Sequence, residues 1–393
     1  MAKHPIIRLK GREGRRVRLG APWVFSNEIV MDQAAKALAP GTLIDLKADD
    51  GQNIGTGYFN PASLISVRLF TREAGVVIDA EFFTTALRRA LRRREALYDA
   101  PYYRLVHAEG DGLPGVVIDR FDDIVSVQVT TAGMETLTSE LVAALDVAIA
   151  PRTVVLRNDT PSRTLEGLDP YVKAAKGEMP SRITVLENGA RYFADLGGGQ
   201  KTGWYYDQRD NRAFMAKLAQ GKSVLDAYCY AGGFAIAAAK GGASDVTGID
   251  SSQTALALAE EAAAANQVKA RFVKADVFDE LDRLVAAKEK FGIVIADPPP
   301  FVKSRKDLEP GAKAYRKLAR LAASVTAPEG FLLLASCSHN IPLERFAQEC
   351  AIGIARTGRN ASLIHQAGVS PDHPVHPMLP ETAYLKALVY ALD

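Results

Sequence analysis

Residues 223–250 read SVLDAYCYAGGFAIAAAKGGASDVTGID, and this stretch contains the pattern from which the fold can be predicted. A short apolar run ends at Asp226, a glycine pair follows at Gly232-Gly233, an alanine-rich helical pattern comes next, and a second apolar run ends at Asp250. Apolar strands that alternate with helices are typical of βαβ units, whose parallel strands are buried on both faces. The stretch therefore predicts the start of a doubly wound, mostly parallel α/β sheet.

Acidic residues end four successive apolar runs of this kind. After Asp226 and Asp250, the run ARFVKAD ends at Asp276 and the run FGIVIADPP contains Asp297. Ligands of doubly wound sheets bind outside the carboxyl ends of the strands. A single aspartate there can merely start a turn or cap a helix, and for Asp297 a turn ahead of prolines remains the alternative. Four acids in succession favour a ligand site.

The spacing of these acids indicates the kind of ligand. The glycine loop is not a strict G-x-G-x-x-G, so alone it is weak evidence for a nucleotide. Asp250 follows Asp226 by 24 residues, close to the spacing of about 20 at which an acid reaches a ribose hydroxyl. A carboxylate at Asp226 would repel the pyrophosphate of NAD and attract a cation. S-adenosylmethionine, with its ammonium and sulfonium, is therefore favoured over NAD, and Asp276 with Val277 would suit its adenine.

The rest of the chain divides into two further patterns. Residues 1–73 contain short apolar runs broken by turn residues, which predict a small β-rich domain. Residues 74–182 combine helical periodicity with a β-hairpin pattern and predict a small α+β domain. Residues 183–393 carry the strand and helix alternation described above. We therefore expect three domains, with the class I Rossmann-like domain last.

The overall composition does not indicate what the protein binds, but the positions of its basic residues suggest where phosphate groups could bind. Hydrophobic residues make up 48% of the chain, charged residues 24%, and the formal net charge is +2, as in an ordinary globular protein. Local basic clusters can still neutralise phosphates, although a solvated face is an equal alternative. One cluster is the segment ALRRALRRREAL, and the other lies near the N-terminus: Lys3, Arg8, Lys10, Arg12, Arg15, Arg16 and Arg18.

The location of the protein is predicted from segments that the sequence lacks. It contains no run of 18 apolar residues and no apolar core of a signal peptide. Its three cysteines, Cys229, Cys337 and Cys350, are an odd and sparse set that suits a reducing compartment. A cytoplasmic protein without a membrane partner is expected.

Several longer segments are similar to known sequences. ENGARYFADLGGGQKTGWYYDQRDNR, VLDAYCYAGGFAIAAAKGGASDVTGIDSS, IADPPPFVKSRKDL and SCSHN resemble the successive motifs of the bacterial rRNA large subunit methyltransferase I family, class I enzymes that make 5-methylcytidine in 23S rRNA. GAPWVFSNEI and IGTGYFNPASLISVRLF resemble the N-terminal PUA domain of that family, and RLVHAEGDGLPGVVIDRF resembles its middle domain. The resemblance covers nearly the whole chain, and QKTG with DQR is its most specific part.

The resemblance implies a set of site residues. The methionine part of S-adenosylmethionine would lie at Asp226 and the two glycines, the ribose at Asp250, and the adenine at Asp276 and Val277. Asp297 would lie between the donor and the target base. The complete implied cofactor set is Lys201, Thr202, Arg209, Asp226, Gly232, Gly233, Asp250, Asp276 and Val277. The implied partner is ribosomal RNA, either 23S or an assembly intermediate. The sequence leaves the oligomeric state open, with a homodimer as one alternative.

Cys337 lies in LLLASCSHN, where an apolar strand gives way to a polar loop. Carbon 5 of cytosine is a weak nucleophile, and a thiolate that adds at carbon 6 would activate it, with Asp297 as the acid near the ring nitrogen. Three alternatives remain. A metal site would need paired ligands, and no C-x-x-C occurs; a Cys-His pair with His339 lacks a third group; and the cysteine could be a core residue, as is expected for Cys229 and Cys350.

Substrate contacts are expected near the predicted acid. Phe301, and Tyr315 on the following helix, could pack on a base that has left its stack. His373 lies on a late loop that could approach the substrate, but the preferred interpretation places His373 and His376 in a proline-rich hairpin. Many RNA cytosine methyltransferases carry a second cysteine three positions after the motif aspartate, which assists product release, but here that position is Pro300.

Two other functions remain open at this point. A methyltransferase of the same fold could act on another atom, such as guanine N7, and would need no thiol. A noncatalytic RNA-binding or assembly protein could retain a degenerate cofactor fold. Loss of activity in Cys337→Ala would exclude the first, and binding of S-adenosylmethionine would argue against the second.

Overall fold

The computed structural model describes residues 4–197 and 203–393. Its contacts divide the chain into two compact units. The described part of the first comprises residues 4–181, 195–197, 203–204 and 371–380, and the second comprises residues 182–194, 205–370 and 381–393. Within the described residues, no helix has both the length and the apolar character needed to cross a membrane.

The first unit begins with a five-stranded sheet in the order β1-β3-β4-β5-β2. Strand β1 is parallel to β3, and the other pairs are antiparallel. Apolar side chains that include Val24, Ile44, Phe59 and Val67 form its core. Its strands and short helices are β1 (Ile6–Arg8), α1 (Arg15–Arg18), β2 (Trp23–Phe25), α2 (Gln33–Lys36), β3 (Thr42–Lys47), β4 (Asn53–Phe59) and β5 (Ile65–Thr71).

A second five-stranded sheet in this unit has the order β10-β9-β8-β7-β6 and is covered by helices α3 and α5. Asp79 caps α3, because its carboxylate accepts hydrogen bonds from the amides of Glu81 and Phe82. The elements are α3 (Ala80–Glu95), β6 (Tyr102–His107), β7 (Val116–Phe121), β8 (Ile124–Val129), α4 (Ala132–Thr136), α5 (Thr138–Ile149), β9 (Thr153–Asn158) and β10 (Tyr171–Lys176).

A late segment of the chain, residues 371–380, packs in this first unit. Asp372 accepts a hydrogen bond from the Arg104 amide through Oδ2 at 3.0 Å and pairs with Nδ1 of His373 through Oδ1 at 2.8 Å. His373 is 2% exposed, and its ring lies 4.9 Å from that of His107. His373 is therefore a buried packing residue of the first unit.

The second unit is built on a seven-stranded sheet in the order β15-β14-β13-β16-β17-β19-β18. The strands from β13 to β17 run parallel, and β19 is antiparallel to both of its neighbours. Its strands are β13 (Ser223–Ala227), β14 (Asp245–Asp250), β15 (Arg271–Lys274), β16 (Phe291–Ala296), β17 (Thr326–Ser336), β18 (Ala361–Ala367) and β19 (Lys386–Leu392), and the hairpin β11 (Ile183–Glu187) and β12 (Ala190–Ala194) precedes them.

Helices connect these strands and cover the sheet. They are α6 (Arg209–Leu218), α7 (Gly233–Lys240), α8 (Gln253–Ala265), α9 (Val277–Ala286), α10 (Leu308–Val325) and α11 (Leu343–Ala355). Short 3₁₀ turns lie at Ser26–Glu28, Ala108–Asp111, Pro161–Glu166, Tyr206–Gln208, Arg305–Asp307 and Pro380–Thr382. The near-continuous apolar strands, such as Ile293–Ile295, are buried as a parallel sheet requires. The predicted doubly wound, mostly parallel α/β fold is confirmed.

The strand order also fixes where a ligand can bind. The chain moves outward from β13 to β14 and β15, then returns to place β16 on the other side of β13. This reversal is a topological switch point, and a crevice forms there outside the carboxyl ends of the strands. Asp226 in β13 and Asp297 just after β16 lie at this crevice, where the Asp297 amide donates to the carbonyl of Ala227 at 3.4 Å.

Candidate active site

Asp226 is a buried carboxyl group at the switch point. It is 1% exposed, and its Oδ2 accepts a hydrogen bond of 2.8 Å from the amide of Ala235 in α7. Its Oδ1 has no hydrogen-bond partner among the described residues. Burial raises the pKa of Asp226 to about 8, with further contributions from Asp297 and Asp250. A buried carboxyl oxygen without a partner is stabilised by a cation, so the residue fits a positively charged ligand group.

The loop that follows Asp226 is tightly bent. Gly232 has φ of 79°, a left-handed conformation that favours glycine, and a Cβ there would lie 3.0 Å from Cβ of Ala259. Tyr228 and Tyr230 also have positive φ, at 66° and 49°. Non-glycine residues rarely adopt this conformation, and such strain clusters at ligand sites. Gly233, the first residue of α7, is buried.

Asp250 lies at the end of β14 with its carboxylate fixed by backbone groups. Its Oδ1 accepts from the amide of Ser252 at 2.8 Å, and its Oδ2 accepts from the amide of Tyr230 at 2.9 Å. The second bond joins the carboxylate to the loop after Asp226. The carboxylate of Asp250 and the loop that follows Asp226 are therefore in direct contact.

Asp276 is the N-cap of α9. Its Oδ1 accepts from the amides of Phe278 at 2.9 Å and Asp279 at 3.2 Å, and the residue is exposed at the end of the sheet. The next residue, Val277, is 3% exposed and belongs to the core of the unit. Asp276 thus caps a helix at the same edge of the sheet where a ligand would bind.

Asp297 is held by a glutamine from a distant part of the sequence. Nε2 of Gln208 donates to Oδ2 of Asp297 at 2.9 Å, and Oε1 of Gln208 accepts from Nδ2 of Asn211 at 2.6 Å. The second bond fixes which end of the amide faces Asp297. The segment is itself anchored, since the Tyr384 hydroxyl donates to Oδ2 of Asp207 at 2.6 Å. Gln208 was not among the predicted site residues, although its segment was the most specific part of the resemblance.

Cys337 lies between two anchored serines at the end of β17. Oγ of Ser336 donates to the hydroxyl oxygen of Tyr315 at 2.8 Å, and Oγ of Ser338 donates to the carbonyl of Val302. Nδ2 of Asn340 extends the second attachment by donating to the carbonyl of Lys303 at 2.9 Å. The SCSHN loop is therefore tied both to α10 and to the loop that follows Asp297.

The three cysteines differ in exposure. Cys337 is half-buried, whereas Cys229 and Cys350 are buried. Burial raises the pKa of both buried thiols, which makes their thiolates scarce at neutral pH. Cys337 is thus the cysteine whose thiol is accessible to a reagent or a substrate.

The charges of Cys337 and Asp297 act on the same two tyrosines, Tyr205 and Tyr315. Burial is the main cause that raises the pKa of Tyr205, and the charges of Asp297 and Cys337 both add to it. The same two charges act on Tyr315, where burial is again the main cause and the pKa rises to about 12. Each tyrosine is therefore close to both groups.

Phe301 and Tyr315 were both predicted to contact the substrate, and they differ in exposure. Phe301 is half-buried, with its ring centroid 4.8 Å from that of Tyr315. Tyr315 is 1% exposed, its ring contacts Phe346 at 5.1 Å, and its hydroxyl oxygen accepts from the amide of Phe301 at 3.4 Å. This burial favours a role for Tyr315 in supporting the loop, and leaves Phe301 as the ring that can meet a base.

Arg209 lies in a buried ion cluster. Its Nε is 3.5 Å from Oε2 of Glu187, and Nε of Arg212 is 2.6 Å from Oε1 of the same carboxylate. Its carbonyl accepts from Nδ2 of Asn188 at 3.0 Å. These contacts favour a structural role for Arg209, which was predicted to bind the cofactor. Lys201 and Thr202, from the same prediction, lie outside the described residues.

Comparison with known families defines the class of protein. Residues 133–391 match the family model of S-adenosylmethionine-dependent methyltransferases, and residues 7–72 match that of PUA-like domains. The chain is therefore an S-adenosylmethionine-dependent methyltransferase with a PUA-like domain. The predicted cofactor is confirmed, and the cation-binding character of Asp226 agrees with it.

A full-length relative narrows this class. The ribosomal RNA large subunit methyltransferase I of Shewanella denitrificans is 36% identical to this chain over 392 residues, which covers 98% of both proteins. The chain belongs to the ribosomal RNA large subunit methyltransferase I family, as its motifs predicted.

Solved structures confirm the fold. A Streptococcus mutans protein assigned to the SAM-dependent methyltransferases superposes with a TM-score of 0.82 at 22% identity and covers 98% of this chain and 100% of its own. A methyltransferase structure that contains S-adenosylhomocysteine superposes with a TM-score of 0.83 at 22% identity and covers 100% of both chains. At this identity the likeness concerns the fold alone.

Proposed function

We propose that this protein transfers a methyl group from S-adenosylmethionine to carbon 5 of a cytosine in 23S ribosomal RNA, and that Cys337 forms a covalent adduct with carbon 6. The observation that carries the proposal is the position of Cys337. Its half-buried thiol lies at the carboxyl edge of the sheet, in one electrostatic cluster with Asp297. A methyl transfer to a nitrogen would need no such thiol.

The chemistry explains why a thiol is needed. Carbon 5 of cytosine is a poor nucleophile until the Cys337 thiolate adds to carbon 6, which forms a sulfur–carbon bond and moves the ring electrons toward carbon 5. Asp297, in its acid form, would donate a hydrogen bond or proton to the ring nitrogen. When bound, the cofactor supplies the methyl group that carbon 5 accepts. Loss of the carbon 5 proton to a base then breaks the bond to sulfur and restores the thiolate, and any proton given to the ring nitrogen returns to Asp297.

The base for this last step is not a cysteine at the position three residues after Asp297. The position three residues after Asp297 is Pro300, which has no titratable group. The proton must therefore pass to another base or to water.

We assign the cofactor residues as follows. Asp226, with its unpartnered Oδ1, would accept the ammonium group, and Gly232 with Gly233 would allow the backbone to approach the methionine part. Asp250 would accept the ribose hydroxyls, and Asp276 with Val277 would lie at the adenine. Lys201, Thr202 and Arg209 remain predictions of the sequence, and for Arg209 the contacts with Glu187 favour an indirect effect.

The assignment of ribosomal RNA as the substrate rests on the relative and on charge. The Shewanella denitrificans protein is named for the large ribosomal RNA. The PUA-like domain carries exposed basic side chains that can contact phosphates, namely Arg8, Lys10, Arg12 and Arg15. Such contacts position structured RNA by its shape and backbone. We place the reaction in the cytoplasm, and we retain the homodimer as a prediction that light scattering can test.

The direct test is nucleoside mass spectrometry. Ribosomal RNA from cells that lack this modification is incubated with the protein and S-adenosylmethionine with a labelled methyl group, then digested to nucleosides. Labelled 5-methylcytidine is expected. Label in 7-methylguanosine would contradict the proposed chemistry, and binding of the cofactor without labelled RNA would point to a noncatalytic RNA-binding protein.

A further inference from the structure

Lys386 is a buried cation beside the Cys337 loop. It is the first residue of β19 and is 8% exposed. In the antiparallel register of β17 and β19, Lys386 lies opposite Ser336, the residue before Cys337. Its Nζ donates a 2.6 Å hydrogen bond to the carbonyl of Ser338, the residue after Cys337. Lys386 therefore contacts the loop on both sides of the thiol.

The burial of this ammonium group needs a compensating interaction. Removing a charged amine from water is unfavourable unless the charge is paired. Burial lowers the pKa of Lys386, and the charge of Cys337 acts in the opposite direction by favouring the ammonium form. The two charges interact reciprocally, so a group that stabilises the ammonium is itself stabilised by it.

We propose that Lys386 is the positioning residue for Cys337: it holds the loop through the Ser338 carbonyl, and its ammonium group favours the thiolate form of the cysteine. The hydrogen bond and the strand register fix the loop, and the charge adjusts the reactivity of the sulfur. Proteins commonly activate a cysteine by lowering the pKa of its thiol, which increases the fraction of thiolate. The inference rests on the proposed function only in making that thiolate the nucleophile.

Three other titratable groups near Cys337, among the residues that the structure describes, act in the opposite direction. Asp297 follows β16, Tyr205 precedes α6, and Tyr315 lies on α10, and each can acquire only negative charge, which disfavours a thiolate. His339 is two positions along the loop, and its ring packs on Tyr384 with centroids 5.3 Å apart. His339 is thus the appropriate control for a second source of positive charge.

Alkylation of the thiol tests the proposal without RNA. The rate at which iodoacetamide modifies Cys337 is measured against pH by peptide mass spectrometry, with the buried Cys229 and Cys350 as internal references. In Lys386→Met the midpoint of the pH profile should move to higher pH, and the rate at pH 7 should fall about tenfold, as expected for loss of a nearby opposite charge. Lys386→Arg should keep the native midpoint, and His339→Gln should change it little.

Two outcomes would overturn the proposal. One is an unchanged midpoint in folded Lys386→Met, with folding checked by S-adenosylmethionine binding. The other concerns the unaltered protein and therefore does not depend on the folding of a variant. The midpoint of the Cys337 alkylation profile should lie at lower pH in the native protein than in urea. An equal or higher native midpoint would contradict a stabilised thiolate. Neither result depends on which base is methylated. If the alkylation shift is found but Cys337→Ala still methylates RNA, the proposed chemistry fails and the role of Lys386 stands.

Discussion

Nε2 of Gln208 and Oδ2 of Asp297 are joined by a 2.9 Å hydrogen bond across 89 residues of sequence. Gln208 is buried, and its amide is oriented by Asn211. The proposed acid is therefore aimed by a residue outside its own loop. Misplacing a reacting group by about 1 Å can cost on the order of a hundredfold in rate, so this bond should be visible in kinetics.

The first prediction concerns this bond. Gln208→Leu should lower kcat by roughly tenfold to a hundredfold, because the Asp297 carboxyl loses its fixed orientation. S-adenosylmethionine affinity should change little. The exposed Gln220 provides a matched control, since Gln220→Leu should retain native kcat. An unaltered kcat in Gln208→Leu would show that Asp297 needs no such support.

The second prediction concerns the binding of the cofactor and its pH dependence. Below about pH 8 Asp226 carries a proton in the unliganded protein, because burial raises its pKa. A bound ammonium group favours the carboxylate, so binding should release a proton, and affinity should rise with pH up to about 8 and then level off. Calorimetry at pH 7 in two buffers of different ionisation enthalpy measures the released proton. Asp226→Asn should bind S-adenosylmethionine weakly and release no proton. Strong, pH-independent binding by this variant would show that Asp226 does not bind the cofactor.

The third prediction separates Tyr315 from Phe301. Tyr315→Phe removes a hydroxyl that bonds to Ser336 and Phe301, so the free energy of unfolding should fall by about 1 kcal/mol. Phe301→Ala should mainly raise KM for RNA, because its half-buried ring is the proposed contact for the base. Denaturant titration and steady-state kinetics measure the two effects. If Tyr315→Phe raised KM for RNA more than Phe301→Ala did, Tyr315 would be the residue that contacts the substrate.

The fourth prediction concerns the basic face of the PUA-like domain. The double variant Arg12→Ala and Arg15→Ala should weaken RNA binding and reduce the slope of affinity against salt by about one for each phosphate that is no longer neutralised. Arg152→Ala is the control, because Arg152 is also exposed but pairs with Asp123. If the slope of RNA affinity against salt were equal in the double variant and the unaltered protein, Arg12 and Arg15 would not contact RNA phosphates.

Much of the architecture could be predicted because it depends on local pattern. Apolar runs such as Ile293–Ile295 have the length and composition of buried parallel strands, and strands of that kind bring Asp226, Asp250 and Asp297 to one edge. The choice of S-adenosylmethionine over NAD followed from the charge of Asp226, because a carboxylate beside the glycine turn favours a cationic ligand.

The supporting residues could not be predicted in this way. Gln208 and Lys386 reach the site through contacts between distant segments, and no periodicity indicates such a pair. Tyr315 fits a helical pattern equally well as a packing residue or as a substrate contact, and only the fold shows that Phe301 and Phe346 lie against it. The position of His373 in the first unit could not be predicted either, because it also depends on contacts between segments that are distant in sequence.

Covalent trapping tests the central claim most directly. In RNA that contains 5-fluorocytidine, fluorine replaces the proton at carbon 5, so an adduct that has accepted the methyl group cannot be released. Ribosomal RNA of this kind, incubated with the protein and S-adenosylmethionine, should give a denaturation-resistant complex whose cross-linked peptide contains Cys337. Cys350→Ala should form the complex and Cys337→Ala should not. Methylation of unmodified RNA by Cys337→Ala, or a trapped complex at another residue, would contradict the account.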